Sequence, residues 1–197
     1  MLNLITAQDP RCLSDLFRNG FLVGRRELID PDWEHAYVWM MEQMQFPNPY
    51  DAEVPMWSWL GKKLRCRSSR EDVVIQFRVD EAQAKVSDFI NWHNVLNNIN
   101  LTINQREFEE LDLNDVLDRS TWMRIFEDLH IYPEYDPLWI GTGKPYQVCT
   151  WHILLSDITR IKTTKNVLLY TKKRGIIWRN VEKEGLSAHF LKGPHKE

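Results

Sequence analysis

Hydrophobic and polar positions alternate most cleanly in two stretches of the chain. Val73, Ile75, Phe77 and Val79 alternate with Val74, Gln76 and Arg78, which predicts a half-buried strand. Over residues 147–155, Val148, Thr150, His152 and Leu154 face one way and Gln147, Cys149, Trp151 and Ile153 the other, predicting a second. Residues 2–6 and 55–60 read as shorter strands, the latter with Trp57 and Trp59 on one face. Residues 167–170 and 175–178 are expected to close the fold as a hairpin across Lys172, Lys173 and Arg174.

Helical spacing fills the intervals. Asp9-Pro10 opens a short helix with Leu13, Leu16 and Phe17 on one face, and Gly20 is placed to end it. Asp30-Pro31 supplies an N-cap and a first-turn proline for a helix over 31–44, whose apolar stripe reads Trp33, Tyr37, Met40 and Met44, with Ala36 beside it. Ser87 or Asp88 caps a helix running to about Asn97, and residues 105–129 form an acid-rich helical middle broken near Arg119-Ser120. Pro133, Pro137, Gly141, Gly143 and Pro145 mark a loop.

Strands at both ends around a helical middle predict an α+β fold with an antiparallel or mixed sheet in a single compact domain. Residues 1–162 form its body, 163–185 its closing hairpin and 186–197 a polar, frayed tail.

Bulk numbers narrow the function classes. A 197-residue chain buries enough surface to fold without disulfide or metal staples. Its net charge of -3 gives no general drive toward nucleic acid or anionic membrane. No apolar stretch approaches a membrane span, and the N-terminus lacks the pattern of a secretory signal. Cys12, Cys66 and Cys149 show no metal or redox spacing, so reduced thiols in a cytoplasmic setting are expected, with Cys149 packed as a small hydrophobe.

Candidate chemistry centres on nine tryptophans set in polar-aromatic phrases. Asp88, Trp92, His93 and Asn97 fall in one such phrase, with His93 and Asn97 four apart on one helical face. With Trp57 and Trp59 they form the predicted binding set; the alternative is that the asparagines and histidine cap the helix and tie loops together. His152 is the candidate acid/base position, against the alternative of a partly buried, hydrogen-bonded strand histidine. His35 and His130 read as solvated. No nucleophilic triad, phosphate-binding glycine loop or paired-histidine metal motif is present. Lys62, Lys63, Arg65, Arg67 and Arg70 form one basic run; Arg160, Lys162, Lys165, Lys172, Lys173 and Arg174 form another. Either can meet phosphate or nucleic acid with Trp57 and Trp59 as stacking platforms, or simply keep loops solvated. The run of Glu107, Glu109, Glu110, Asp112, Asp115 and Asp118 reads as a solvated helical face.

In order, these phrases resemble a bacterial and phage family, domain of unknown function 3841. The likeness runs from Ile5-Thr6-Ala7-Gln8 through Leu16 and Gly20, residues 36–40 and 55–59, Val86 to Phe89, Trp92-His93 and residues 95–98. Ser120-Thr121-Trp122, Ile125-Phe126 and residues 147–153 complete it. A second resemblance, in the order of elements and the late Gln-x-x-x-x-x-Ile-Leu strand, is to ADP-ribosyltransferase-like domains. That likeness implies a late-strand glutamate acting on the ribose of NAD, and this chain has His152 where relatives often carry that residue. The expected function is therefore a cytoplasmic binding protein with a polar aromatic pocket: a degenerate transferase-like domain that recognises a nucleotide or modified partner in phage or mobile-element conflict. NAD or ADP-ribose is the implied ligand. The alternatives are an active NAD-using ADP-ribosyl transferase and a protein-interaction module.

Overall fold

A computed structural model describes residues 1–65, 72–184 and 186. Cys66, Arg67, Arg70 and the expected tail beyond Leu186 lie outside the described residues. The first half contains β1 (Leu2–Gln8), α1 (Cys12–Asn19), β2 (Phe21–Val23), α2 (Glu34–Gln43), β3 (Met56–Leu60) and β4 (Val73–Val79). There follow β5 (Lys85–Asp88), α3 (Phe89–Leu96), α4 (Gln105–Leu111), β6 (Tyr146–Thr150), β7 (His152–Leu154), β8 (Ile158–Thr163), β9 (Leu168–Thr171), β10 (Gly175–Ile176) and α5 (Trp178–Lys183). Short 3-10 turns join many of them. The fold is α+β, and its main sheet has the order β10-β9-β8-β4-β1-β3-β6-β5. The β1–β3, β1–β4, β4–β8, β8–β9 and β9–β10 pairs are antiparallel.

The chain separates into two compact units. The first comprises residues 1–26, 46–84 and 148–197. Its core follows from register: Leu4 lies opposite Phe77, Ile75 opposite Ile161, and Ile161 opposite Tyr170, so these side chains share one face of the sheet. On that side Phe17 of α1 approaches Tyr170, with ring centroids 6.0 Å apart. Leu13 and Leu16 of α1 are fully buried, each contributing roughly 1.5–3 kcal/mol by leaving water. Gly20 ends α1 at φ 82, a left-handed conformation that glycine adopts without a Cβ clash.

The expected strand over 147–155 is two strands. β6 belongs to the main sheet, whereas β7 pairs with β2 in a separate two-stranded sheet, Val23 opposite His152. The chain bends at Trp151, which is buried and donates its indole N–H to the Phe46 carbonyl at 3.1 Å. A buried tryptophan needs such a partner, and the bond falls at the point where the alternation stops. The short strands β2 and β5 escape the hydrophobic pattern because each offers only three or four residues.

The second unit comprises residues 27–45 and 85–147. Asp30 caps a 3-10 turn, Pro31–Trp33, before α2 begins. That turn changes the helical phase, so the buried stripe is Ala36, Trp39, Met40 and Met44, while Trp33 is 42% exposed and Tyr37 half-buried. Trp39 stacks on Phe126 at 5.7 Å and meets Trp122 edge-on at 5.4 Å. Trp122 is fully buried with its N–H donated to the Ile99 carbonyl at 2.8 Å. His35, expected in solvent, is half-buried and donates Nε2 to the Val95 carbonyl at 3.0 Å. The helical middle is shorter than the pattern predicts: α4 ends at Leu111, and residues 119–126 form 3-10 turns.

Candidate functional site

A cleft of about 380 Å³ opens in the second unit, within the roughly 300–1,000 Å³ range of small-molecule sites. One wall is the segment from Ile125 and Phe126 through Glu127 and Asp128 to His130. The facing residues are Val86 and Ser87 of β5 together with Thr142, Gly143 and Tyr146.

Each wall is held by local chemistry. Asp88 ends β5 and caps α3: its Oδ1 accepts the Ile90 and Asn91 amides at 2.8 and 3.0 Å. Its other oxygen accepts the Gly143 amide at 2.7 Å. Asn91 donates to the Gly141 carbonyl at 3.0 Å, and the Phe89 amide donates to the Pro145 carbonyl. Three bonds thus latch the loop over 141–145 onto the start of α3. Gly143 takes φ 97, a backbone conformation that favours glycine. On the opposite wall Asp128 caps the 3-10 turn Leu129–Ile131 through the His130 amide, and Tyr132 donates its hydroxyl to Glu127. That bond raises the Tyr132 hydroxyl above its ordinary range. Lys85 sits 4.2 Å from the Phe126 ring centre.

The Ser87 hydroxyl, in a residue 1% exposed, is buried without a hydrogen-bond partner. A buried hydroxyl left unpaired costs roughly 1–3 kcal/mol. The oxygen itself is shut off from solvent, so an ordered water or a ligand group completes it only where the cleft admits one.

The predicted binding residues fall elsewhere. Trp57 and Trp59 are half-buried on β3 of the first unit, and Asp88, Trp92, His93 and Asn97 belong to the second. Trp92 is core, 4% exposed and edge-on to Tyr37 at 6.4 Å. His93 and Asn97 are exposed, their donors taken by the helix itself: His93 Nδ1 by the Phe89 carbonyl at 3.0 Å, Asn97 by the His93 carbonyl at 2.7 Å. Of the six, Asp88 alone acts on the cleft, by bracing its wall. Ser87 had a sequence signal as a cap; Glu127, Asp128 and His130 were hidden in a stretch that reads as helix. His152 lies on β7 with its ring 4.7 Å from Tyr50, and its Nδ1 is buried without a partner. Burial lowers its imidazole below the ordinary histidine range, partly opposed by Asp157. Burial raises the Cys149 thiol, and burial with the Asp9 and Asp15 carboxylates pushes Cys12 up to about 12, so neither is a thiolate near neutrality.

Among the described residues, no group of three or more His, Cys, Asp or Glu is arranged to hold a metal ion, and no helix is long and apolar enough to cross a membrane. The family described as "Domain of unknown function (DUF3841)" matches residues 3–135. The chain belongs to this family. No curated protein and no solved structure matches it. The DUF3841 match contains Ser87, Asp88 and the 125–130 wall of the cleft, while residues 142–146 of the facing wall and His152 lie beyond it.

Proposed function

We propose that this chain is a small-molecule binding protein whose cleft takes the nucleoside portion of a nucleotide-like ligand. The observation that carries the reading is the orphaned Ser87 hydroxyl in the cleft wall. Glu127 and Asp128 accept hydrogen bonds, Thr142 and Tyr146 carry hydroxyls, and the Val86–Ile125 side supplies apolar contact. A ribose with its hydroxyls, or a base with its amino group, offers donors to this set. Phosphates do not fit as well, because two carboxylates repel them.

The test is isothermal titration of the full chain with adenosine, ADP-ribose and NAD. Adenosine is expected to bind at least as tightly as the phosphorylated ligands. Ser87→Ala is expected to weaken binding roughly fivefold, the loss of one ordinary hydrogen bond. Binding unchanged by Ser87→Ala, or no binding of any of the three, rejects the reading.

A further inference from the structure

Four aliphatic side chains stand exposed around one buried asparagine in the second unit. Asn100, 4% exposed, donates its amide to the Asp112 carboxylate at 2.9 Å and to the Val116 carbonyl at 2.7 Å. Its own oxygen accepts the Asp118 amide at 2.7 Å. Those three bonds draw residues 112, 116 and 118 together beside the turn that follows α3. Val116 is one of the residues so joined, and Ile99, Leu113 and Leu117 are chain neighbours of the others. Leu113 is 65% exposed, Val116 47%, Ile99 46% and Leu117 40%. Single exposed apolar residues are ordinary on a protein, whereas four gathered at one anchor mark a contact surface.

The backbone beneath them is tied down. The Asn114 side chain donates to the Glu109 and Glu110 carbonyls at the end of α4. The Val116 amide donates to the Leu111 carbonyl at 2.9 Å, and the Asp115 amide to the Asp112 carbonyl at 3.2 Å. A surface already ordered loses little conformational freedom when a partner lands on it. Charge then says which partner. Glu109, Asp112, Asp115 and Asp118 are interleaved with the aliphatic residues, and among the described residues none of the four forms an ion pair. Arg119, the cation next in sequence, lies over the Trp122 ring at 5.1 Å and donates to Asn98. The second unit as a whole carries sixteen aspartates and glutamates against five lysines and arginines. Such a field repels phosphates and draws lysine and arginine.

We propose that the surface of Ile99, Leu113, Val116 and Leu117 docks a basic segment of another protein, one that presents aliphatic side chains between lysines or arginines. The aliphatic residues supply the centre that loses water on contact, and the carboxylates among them select a cationic partner and speed its approach. A basic amphipathic helix has this composition: apolar anchors on one face and cations beside them. The assignment is independent of the cleft.

The test is fluorescence anisotropy of the full chain with three labelled peptides, each of about fourteen residues or roughly four helical turns. One carries leucine and lysine at amphipathic helical spacing, one has glutamate in place of the lysine, and one is oligolysine. The leucine–lysine peptide should bind, the glutamate peptide should not, and oligolysine should bind at least about tenfold more weakly. The double variant Leu113→Asp/Leu117→Asp, checked for folding by circular dichroism, should weaken the leucine–lysine peptide at least about tenfold. Its added negative charge would strengthen a purely electrostatic contact, so the loss reads the aliphatic one. Glu109→Gln/Asp115→Asn should weaken binding several-fold at about 50 mM salt and less at about 200 mM. Asparagine tolerates the left-handed backbone of position 115, at φ 54. Leu138→Asp, at an exposed leucine elsewhere in the same unit, should change nothing. Any of four results overturns the proposal: no binding of the leucine–lysine peptide, oligolysine bound as tightly, binding unchanged by the double variant, or an equal loss in the Leu138 variant. A chain that sediments as a dimer and comes apart in the double variant overturns it too, and marks the surface as a contact between two copies.

Discussion

Asp88 illustrates how much one short side chain does here. Both of its oxygens accept backbone amides: two from the first turn of α3 and one from Gly143 across the loop. Losing an N-cap costs about 1 kcal/mol, and leaving the Gly143 amide unpaired adds about 1–3 kcal/mol. Asp88→Ala should therefore lower stability by about 2–4 kcal/mol, measured by urea denaturation, and loosen the loop that carries Thr142. A loss under about 0.5 kcal/mol would mean the latch is not maintained in solution. His152 supplies a pH test with a defined sign. Burial depresses its folded-state pKa below the unfolded value, so the folded state resists protonation. Its contribution is present above the unfolded pKa and is lost as pH falls through the folded one. Stability should consequently drop as pH falls below about 6.5, and His152→Gln should flatten that part of the curve. An identical pH profile for both proteins would show that His152 does not set the slope.

At the scale of elements, legibility tracks how directly a pattern reports burial. The alternation of residues 73–79 yields β4, and Asp9-Pro10 with Gly20 brackets α1, because a half-buried strand and a capped helix each leave a local signature. The α2 stripe differs from the pattern because the chain enters through a 3-10 turn, whose tighter winding leaves Trp33 out and brings Trp39 in beside Ala36, Met40 and Met44. The strand over 147–155 was overextended because its alternation is genuine on both sides of Trp151. Where it stops, Trp151 donates to the carbonyl of Phe46, over a hundred residues away in sequence, and no local pattern contains that bond. The cleft shares this property. Ser87 and Asp88 are visible in the sequence as a cap, but Glu127, Asp128 and Tyr146 join Ser87 around one cleft only through folding, so the sequence points to a candidate set centred on the tryptophans and not to this cleft. Those tryptophans serve different purposes: Trp92 and Trp122 are core, while Trp57 and Trp59 belong to a sheet face.

For the molecule as a whole, the cleft belongs to the second unit and His152 to the first, and this bears on catalysis. Transfer from NAD develops positive charge on a ribose, and an enzyme that promotes it sets a negative group against that charge. His152 is a poor substitute. Its depressed pKa leaves it neutral near pH 7, so it supplies no negative charge, and in its protonated form it would oppose the transition state. Glu127 and Asp128 are carboxylates, and one oxygen of each is engaged in the wall, Glu127 by the Tyr132 hydroxyl and Asp128 by a turn amide, which fixes them as acceptors for a ligand's hydroxyl or amino groups. The chain should therefore bind a nucleoside-like ligand without turning NAD over. Purified protein incubated with NAD and candidate acceptors is expected to release no nicotinamide and to add no mass to any acceptor, as read by chromatography and intact-mass spectrometry. Turnover abolished by His152→Ala would place the chemistry on β7 and reverse the argument from charge. Turnover that survives His152→Ala but falls with Glu127→Gln would make the cleft an active site, and the transferase reading would then replace the binding one.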